Sequence, residues 1–162
     1  MVTTHVTIVA TSLDASSKSQ LLARHAAKVL EERGVSHTLL DLRDTPELAA
    51  PLKQATHLIF AVPVYNFDVN AAAKQVIEDH GGALEGKTVG FLCQAGGQRS
   101  YMSVLGFANS LMLDFRCWIV PRFVYATGND FEEGEQLGET IRGRITELLD
   151  TLMQGNSPVI GG

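Results

Sequence analysis

The sequence contains only two cysteines among its 162 residues, Cys93 and Cys117, and each lies in or beside an apolar run. Two such cysteines provide neither a disulfide framework nor the ligand spacing of a metal site. A reactive thiol needs an electropositive and accessible setting, which the neighbours of Cys93 do not supply. Both cysteines are therefore predicted to be small buried hydrophobic residues.

The chain also lacks an excess of positive charge, a long apolar run and a basic leader. Its net charge is −5, with acidic and basic residues interspersed, so no basic stripe is present to neutralise nucleic-acid phosphates. No apolar stretch reaches the roughly 20 residues that cross a bilayer, and the first seven residues are unlike a signal peptide. These absences predict a cytoplasmic protein that binds neither nucleic acid nor membrane.

What is present is a regular alternation of apolar runs and helical patterns. Strands are predicted at 6–10, 38–42, 57–62, 87–93 and 117–120, and longer helices at 20–33, 70–80, 103–113 and 133–153. This order specifies an α/β fold of three layers, a five-stranded parallel sheet with helices on both faces. The length favours the flavodoxin-like strand order 2-1-3-4-5. We expect residues 1–154 to form a single domain and residues 155–162 a mobile C-terminal tail.

One motif is a false match. Residues 81–88, GGALEGKT, fit the phosphate-loop pattern G-x-x-x-x-G-K-[ST] letter for letter. That pattern requires a strand before the glycines and a helix that begins at the Lys-Ser/Thr pair. Here a predicted helix precedes the glycines and a strand follows them, so we interpret the segment as a helix stop followed by the start of a strand. This argues against a nucleotide triphosphatase.

In a sheet of this order, ligands bind at the carboxyl ends of the strands, near the switch point between strands 1 and 3. The first loop at this edge contains hydroxyl and acidic residues: Thr11, Ser12, Asp14, Ser16, Ser17 and Ser19. Hydroxyls and free amides at a helix N-terminus favour an anion, and Lys18 adds a positive charge. Because no G-x-G-x-x-G follows strand 1, the loop suits a terminal phosphomonoester. Simple capping of the helix by Ser16 or Ser17 explains these residues equally well.

The other two loops at this edge suit a planar ring. Tyr65, Asn66 and Phe67 follow strand 3 and offer flat apolar surfaces beside a polar amide, although the rings could simply cover the end of the sheet. Residues 95–99, AGGQR, allow the backbone to approach a ligand because glycine has no side chain, although they also suit an ordinary turn. Together the three loops predict a ligand with a phosphate at one end and a ring at the other, and FMN fits.

These loops resemble those of the NAD(P)H-dependent FMN reductase family, within the flavodoxin-like proteins. Residues 11–23, TSLDASSKSQLLA, are similar to the family's G-S-x-R-x-x-S-x-N/S-x-x-L-A. Residues 63–66, PVYN, and 73–79, AKQVIED, resemble [TS]-P-E-Y-N followed by L-K-x-x-I-D, and 95–99 resemble S-x-G-G-x-x-G. The chain departs from the family where Asp14 stands in place of a frequent arginine, Val64 in place of glutamate, Val62 in place of a small hydroxyl residue and Asn70 in place of proline.

The resemblance implies a flavin oxidoreductase that passes hydride from NAD(P)H to FMN and electrons on to a small acceptor, such as a flavin, a quinone, a metal ion or an azo compound. No catalytic side chain and no metal are required, since the flavin supplies the chemistry. It also implies a homodimer or homotetramer. The residues assigned to the cofactor are Ser12, Ser17, Lys18 and Ser19 at the phosphate, Pro63, Val64, Tyr65, Asn66 and Phe67 around the ring, and Ala95, Gly96, Gly97 and Arg99 at the ring's other edge, where Arg99 could also meet a nicotinamide-nucleotide phosphate.

Two other functions stay open. A flavodoxin-type electron carrier would share the fold, although such carriers tend to be more acidic than this chain. A flavodoxin-like binding or regulatory module without cofactor would explain Asp14 and Val64. A hydrolase is disfavoured, because the chain has no G-x-S-x-G nucleophile elbow.

Overall fold

The structure is a computed structural model that describes residues 3–133 and 135–154. The expected C-terminal tail, 155–162, lies outside the described residues. The helices are α1 (Ser19–Glu32), α2 (Ala49–Gln54), α3 (Ala71–His80), α4 (Leu105–Phe115) and α5 (Glu139–Gln154). The strands are β1 (Val6–Ala10), β2 (His37–Asp41), β3 (His57–Tyr65), β4 (Asp68–Val69), β5 (Thr88–Gln94), β6 (Trp118–Ile119), β7 (Val124–Ala126), β8 (Phe131–Glu132) and β9 (Gln136–Leu137).

The main sheet is parallel in the order β2-β1-β3-β5, and its fifth place is shared by β6 and β7, which both pair with β5. The predicted order 2-1-3-4-5 is confirmed. The fifth strand is interrupted after Val120, whose N–H donates to the carbonyl of Val89 at 2.8 Å. Pro121 then has no N–H to donate, and Arg122 turns the chain with a φ of 63°. The predicted strand 117–120 therefore covers only the first half of this edge.

Helices bury both faces of the sheet, which explains the continuous apolar run in β3. Phe60 and Val62 pack toward α2, α3 and α4, whereas Ile59 and Ala61 pack toward α1 and α5. Because successive side chains point to opposite faces, a strand that is covered on both sides must be apolar at every position.

The last helix begins at Glu139, six residues after its predicted start at 133. The preceding segment instead forms an antiparallel hairpin in which Phe131 pairs with Leu137. Leu137 is buried against α1 and α5 and so matches the helical apolar spacing without being helical. The hairpin ends where the Gly138 N–H donates to the carbonyl of Asp130 at 2.9 Å.

Residues 81–88 have the structure expected of a helix stop and a strand start. A short 3-10 turn, Gly81–Leu84, follows α3, and β5 begins at Thr88. The Lys87 ammonium donates to the carbonyl of Leu52 and, at 3.1 Å, to that of Lys53 at the end of α2. A lysine that binds the free carbonyls of a helix C-terminus is in a favourable place for its charge. The interpretation of this motif is confirmed.

Both cysteines are buried, as predicted. Desolvation raises the pKa of Cys93 to about 12 and that of Cys117 to about 11, so neither thiol ionises near neutral pH. In the part of the chain that the structure describes, no helix has both the length and the apolarity needed to cross a membrane.

Candidate flavin site

The three predicted loops meet at one edge of the sheet because their strands are neighbours in register. Ala10, at the end of β1, pairs with Ala61 of β3, and Pro63 of β3 pairs with Gln94 at the end of β5. The segments that follow β1, β3 and β5 therefore leave the sheet side by side. This edge is the one at which ligands bind in open α/β sheets.

The second loop is a β-hairpin, and β3 does not stop at Val62 as predicted. The strand continues through Pro63 to Tyr65, and β4 folds back on it so that Tyr65 pairs with Asp68. The two turn residues, Asn66 and Phe67, have φ values of 51° and 59°. A two-residue hairpin turn of this left-handed kind suits Asn and Gly, whereas a Phe in it is strained.

The apolar residues of the hairpin lie on two sides, one buried and one exposed to solvent. Val64 is 8% exposed and packs in the core, whereas Tyr65 and Phe67 are 48% and 68% exposed. Rings that served only to cover the end of the sheet would be buried. Two exposed rings, with Phe67 in the strained turn and Tyr65 directly before it, therefore leave apolar surface open at this edge.

In the first loop, hydroxyl groups and one carboxylate form hydrogen bonds within the loop itself. Ser12 and Ser19 are buried, and the hydroxyls of Ser17 and Ser19 are 2.7 Å apart. The Asp14 carboxylate accepts hydrogen bonds from the Ser16 N–H and from the Ser16 hydroxyl, both at 2.8 Å. The bonds from the Ser16 N–H and hydroxyl hold the pKa of Asp14 below its usual value. An ionised carboxylate therefore lies within the loop that was predicted to bind a phosphate.

The two basic residues that contact this loop are both engaged. The Lys18 ammonium lies 4.9 Å from the ring centroid of Phe131. Arg43 forms an ion pair with Asp41 at 2.6 Å and donates to the carbonyl of Ala15 at 3.3 Å. The side-chain bonds of Arg43 lower the pKa of Asp41. Both of these positive charges thus already interact with other groups of the protein.

Three further residues support the loops and were not predicted. Gln20 donates to Asp41 at 3.2 Å beneath the first loop, and Asn70 forms two hydrogen bonds with Thr11. Tyr125 donates from its hydroxyl to the carbonyl of Gly97 at 2.5 Å. The only sequence signal for Gln20 and Asn70 was position, since Gln20 follows the first loop and Asn70 follows the aromatic one. Tyr125 had no signal, since it ends an apolar run that core packing already explained.

The third loop presents open backbone. Ala95 is buried, whereas Gly96 and Gly97 are exposed, and a Cβ built on either glycine meets no atom within 4 Å. Arg99 follows in a short turn, is exposed, and has no ion pair with any residue that the structure describes. The structure thus places all the predicted cofactor residues at this edge. Their contacts with a cofactor remain predictions.

A family of proteins described as NADPH-dependent FMN reductase matches residues 4–132. This match extends over more than half of the chain, confirms the family indicated by the loop sequences, and agrees with FMN as cofactor and NAD(P)H as co-substrate. No curated protein matches the chain.

Solved structures with the same fold include both enzymes and carriers. The apo form of an NADH:FMN oxidoreductase, EmoB, superposes with a TM-score of 0.79 at 15% identity, over 93% of this chain and 88% of that one. The flavoenzyme NAD(P)H:(acceptor) oxidoreductase FerB from Paracoccus denitrificans has a TM-score of 0.72 at 15% identity, over 93% and 97% of the two chains. Oxidised flavodoxin 1 from Bacillus cereus has a TM-score of 0.65 at 16% identity, over 95% and 100%. These likenesses show the flavodoxin-like fold.

Proposed function

The chain belongs to the NADPH-dependent FMN reductase family, and on that premise we propose that it is an FMN-dependent NAD(P)H oxidoreductase that passes electrons to a small acceptor. The observation that supports this most strongly is the aromatic hairpin. Tyr65 and Phe67 are exposed at the sheet edge where ligands bind, next to a glycine loop with open backbone. An electron carrier or a module without cofactor would share the fold but would not reduce an acceptor with NAD(P)H.

The residues present fit a flavin at its ring end. The exposed rings of Tyr65 and Phe67 provide the flat apolar surface that an isoalloxazine needs. Gly96 and Gly97 leave their backbone free to approach the opposite side. The hydroxyls of Ser12, Ser17 and Ser19 border the loop that would receive the other end of the cofactor.

The protein's own task in this reaction is to bind the flavin, to orient it and to shield it from water. The passage of hydride from NAD(P)H and of electrons onward is chemistry that a bound flavin supplies. The aromatic hairpin would exclude water from one side of the ring, and the Tyr125 hydroxyl holds Gly97 in place through its 2.5 Å bond. Arg99, exposed and without an ion pair in the described part, is free to meet a phosphate of the nicotinamide nucleotide.

The decisive experiment titrates the purified protein with FMN, follows the quenching of flavin fluorescence, and then adds NADPH or NADH without oxygen. We expect quenching and then bleaching of the bound flavin. Phe67→Ala should weaken binding, whereas Trp118→Ala, which removes an exposed aromatic residue beside the amino end of β5, should not. Absence of quenching would overturn the proposal in favour of a cofactor-free module. Bound flavin that NAD(P)H does not bleach would indicate an electron carrier.

We propose, in addition, a homodimer or homotetramer in the cytoplasm. The support is a set of exposed apolar residues on α4 and the turn before it, with exposures from 42% to 73%: Met102, Leu105, Met112 and Leu113. Large exposed apolar side chains grouped on one element often mark a protein interface. Light scattering on the eluting protein should report two or four chains, and Leu113→Asp should lower that number. A monomeric wild type would overturn this assembly, and fractionation of expressing cells tests the location.

A further inference from the structure

We propose that Asp14 acts as an internal anion at the phosphate end of the flavin site, so that the chain binds riboflavin, the unphosphorylated flavin, at least as tightly as FMN. This inference rests on the proposed function, and it assigns the ligand class of the same site. It predicts a flavin that exchanges with solution rather than one held through its phosphate.

The first support is the geometry of Asp14. Its Oδ1 accepts from both the N–H and the hydroxyl of Ser16 at 2.8 Å, and its own N–H donates to the Ser12 hydroxyl at 3.2 Å. N–H and hydroxyl donors in the loop before a helix are what a phosphate uses, and Ser16 lies in this loop, three residues before α1. Here a carboxylate of the chain already occupies two of them, so a phosphate would have to displace it.

The second support is charge. A phosphomonoester carries about −1.5 to −2 at neutral pH, and an ionised Asp14 adds a negative charge where that group would lie. Both basic residues that contact the loop have other partners, Lys18 with the Phe131 ring and Arg43 with Asp41. The charge of Arg43 also lowers the pKa of Asp14, but this effect is smaller than that of the bonds from Ser16. Repulsion between neighbouring anions near a protein surface corresponds to about tenfold or more in affinity.

The third support is the unused oxygen of the same carboxylate. Asp14 is exposed, and its Oδ2 has no hydrogen-bond partner among the described residues. A carboxylate oxygen only accepts hydrogen bonds, so it can bind the terminal hydroxyl of a riboflavin side chain, which donates. A phosphate dianion has no proton to donate. This oxygen is therefore complementary to an alcohol and not to a phosphate.

The test measures the dissociation constants of riboflavin and FMN by fluorescence quenching and calorimetry, in the wild type and in two variants. Asp14→Asn removes the charge and keeps the shape, and Asp14→Ser provides a second variant should the first fold poorly. Asp114→Asn is the control, since it makes the same change in net charge on α4, and Asp114 is exposed with no ion pair in the described residues.

We expect the wild type to bind riboflavin at least as tightly as FMN. Asp14→Asn should tighten FMN about tenfold and change riboflavin by no more than about twofold, and Asp114→Asn should change neither. Added salt should tighten FMN in the wild type, because it screens repulsion. A wild type that prefers FMN, or an FMN affinity that does not respond to either change at Asp14, would overturn the inference while leaving the reductase proposal intact. Failure of every variant to bind either flavin would instead overturn the proposed function, and this inference with it.

Discussion

Thr11 and Asn70 are joined by two reciprocal hydrogen bonds across the candidate site. The Thr11 hydroxyl donates to Asn70 Oδ1 at 2.8 Å, and Asn70 Nδ2 donates to the carbonyl of Thr11 at 2.7 Å. Thr11 begins the loop after β1, and Asn70 lies between the aromatic hairpin and α3. The pair therefore ties together the two loops that would hold the ends of a flavin.

Asn70→Ala should destabilise the fold and weaken flavin binding. It removes the side-chain donor to the Thr11 carbonyl and leaves the Thr11 hydroxyl with only the Ala61 carbonyl at 3.3 Å, and the loss of a partner for a buried polar group costs about 1–3 kcal/mol. Urea unfolding gives the free energy, and fluorescence titration gives the affinity. Gln75→Ala is the control, because the one side-chain bond of Gln75 within the described residues is an exposed bond to Asp79 on α3. If Asn70→Ala and Thr11→Val act additively in a double-mutant cycle, the coupling is absent.

Phe67→Gly should weaken flavin binding without lowering the stability of the fold. Phe67 has a φ of 59°, a conformation that costs a residue other than glycine about 1–2 kcal/mol. Glycine relieves that strain, so the free energy of unfolding should stay equal or rise, while loss of the exposed ring weakens flavin binding. Paired unfolding and titration measurements decide the matter. A fall in stability together with unchanged affinity would mean that the ring serves the hairpin and not a ligand.

Gly81→Ala should be far more damaging than Gly82→Ala. A Cβ at Gly81 would lie 2.1 Å from the ring of Phe115, whereas a Cβ at Gly82 meets nothing within 4 Å. Overpacking of this kind typically costs about 1–3 kcal/mol. Thermal and urea unfolding of the two variants measure the difference. Equal stabilities would contradict the close packing of the turn after α3 against the end of α4.

Stability should fall as the pH drops below about 6.5, the ordinary pKa of histidine. His5 is buried, and its ring nitrogens lie 2.7 Å from the Ser36 hydroxyl and 2.9 Å from that of Thr38. Desolvation, with a smaller effect of His37, lowers the pKa of His5. The unfolded chain therefore binds a proton at a higher pH than the folded chain, and stability is lost from about 6.5 down to the lowered pKa.

His5→Gln should flatten this part of the stability curve, because glutamine does not titrate. Burial also lowers the pKa of His25, so a loss of the same sign should persist. Urea unfolding at a series of pH values checks the slope, and His80→Gln, at the end of α3, serves as the comparison. A slope that His5→Gln leaves unchanged would exclude His5 as its source.

Tyr125→Phe should weaken flavin binding a few-fold and cost about 1 kcal/mol of stability. It removes the 2.5 Å bond that holds the Gly97 carbonyl and leaves the ring in place. The matched control is Tyr101→Phe, because the Tyr101 ring packs edge-on against Tyr125 at 5.4 Å, whereas its hydroxyl has no partner in the described part of the chain. If both variants bind flavin like the wild type, the glycine loop does not depend on this bond.

Much of the fold was readable from local pattern. The apolar run in β3 predicted a strand that is buried on both faces, and the order of runs and helices predicted the parallel sheet. The prediction failed where a local pattern had two structural solutions. Leu137 has helical spacing but lies in a hairpin, and Pro63 suggests a strand end although β4 keeps the chain extended through Tyr65.

The sequence by itself determined which loops could form the site, because the carboxyl ends of neighbouring parallel strands must share an edge. It also determined the hydroxyl-rich, aromatic and glycine-rich character of those loops. Only the tertiary structure decided which side chains hold the loops together, since Thr11 and Asn70, or Gly97 and Tyr125, are distant in the chain and meet through strand order. It also decided the contacts of Asp14, whose carboxylate accepts a hydrogen bond from the Ser16 N–H within the loop. That contact depends on local backbone geometry, which residue type alone does not specify.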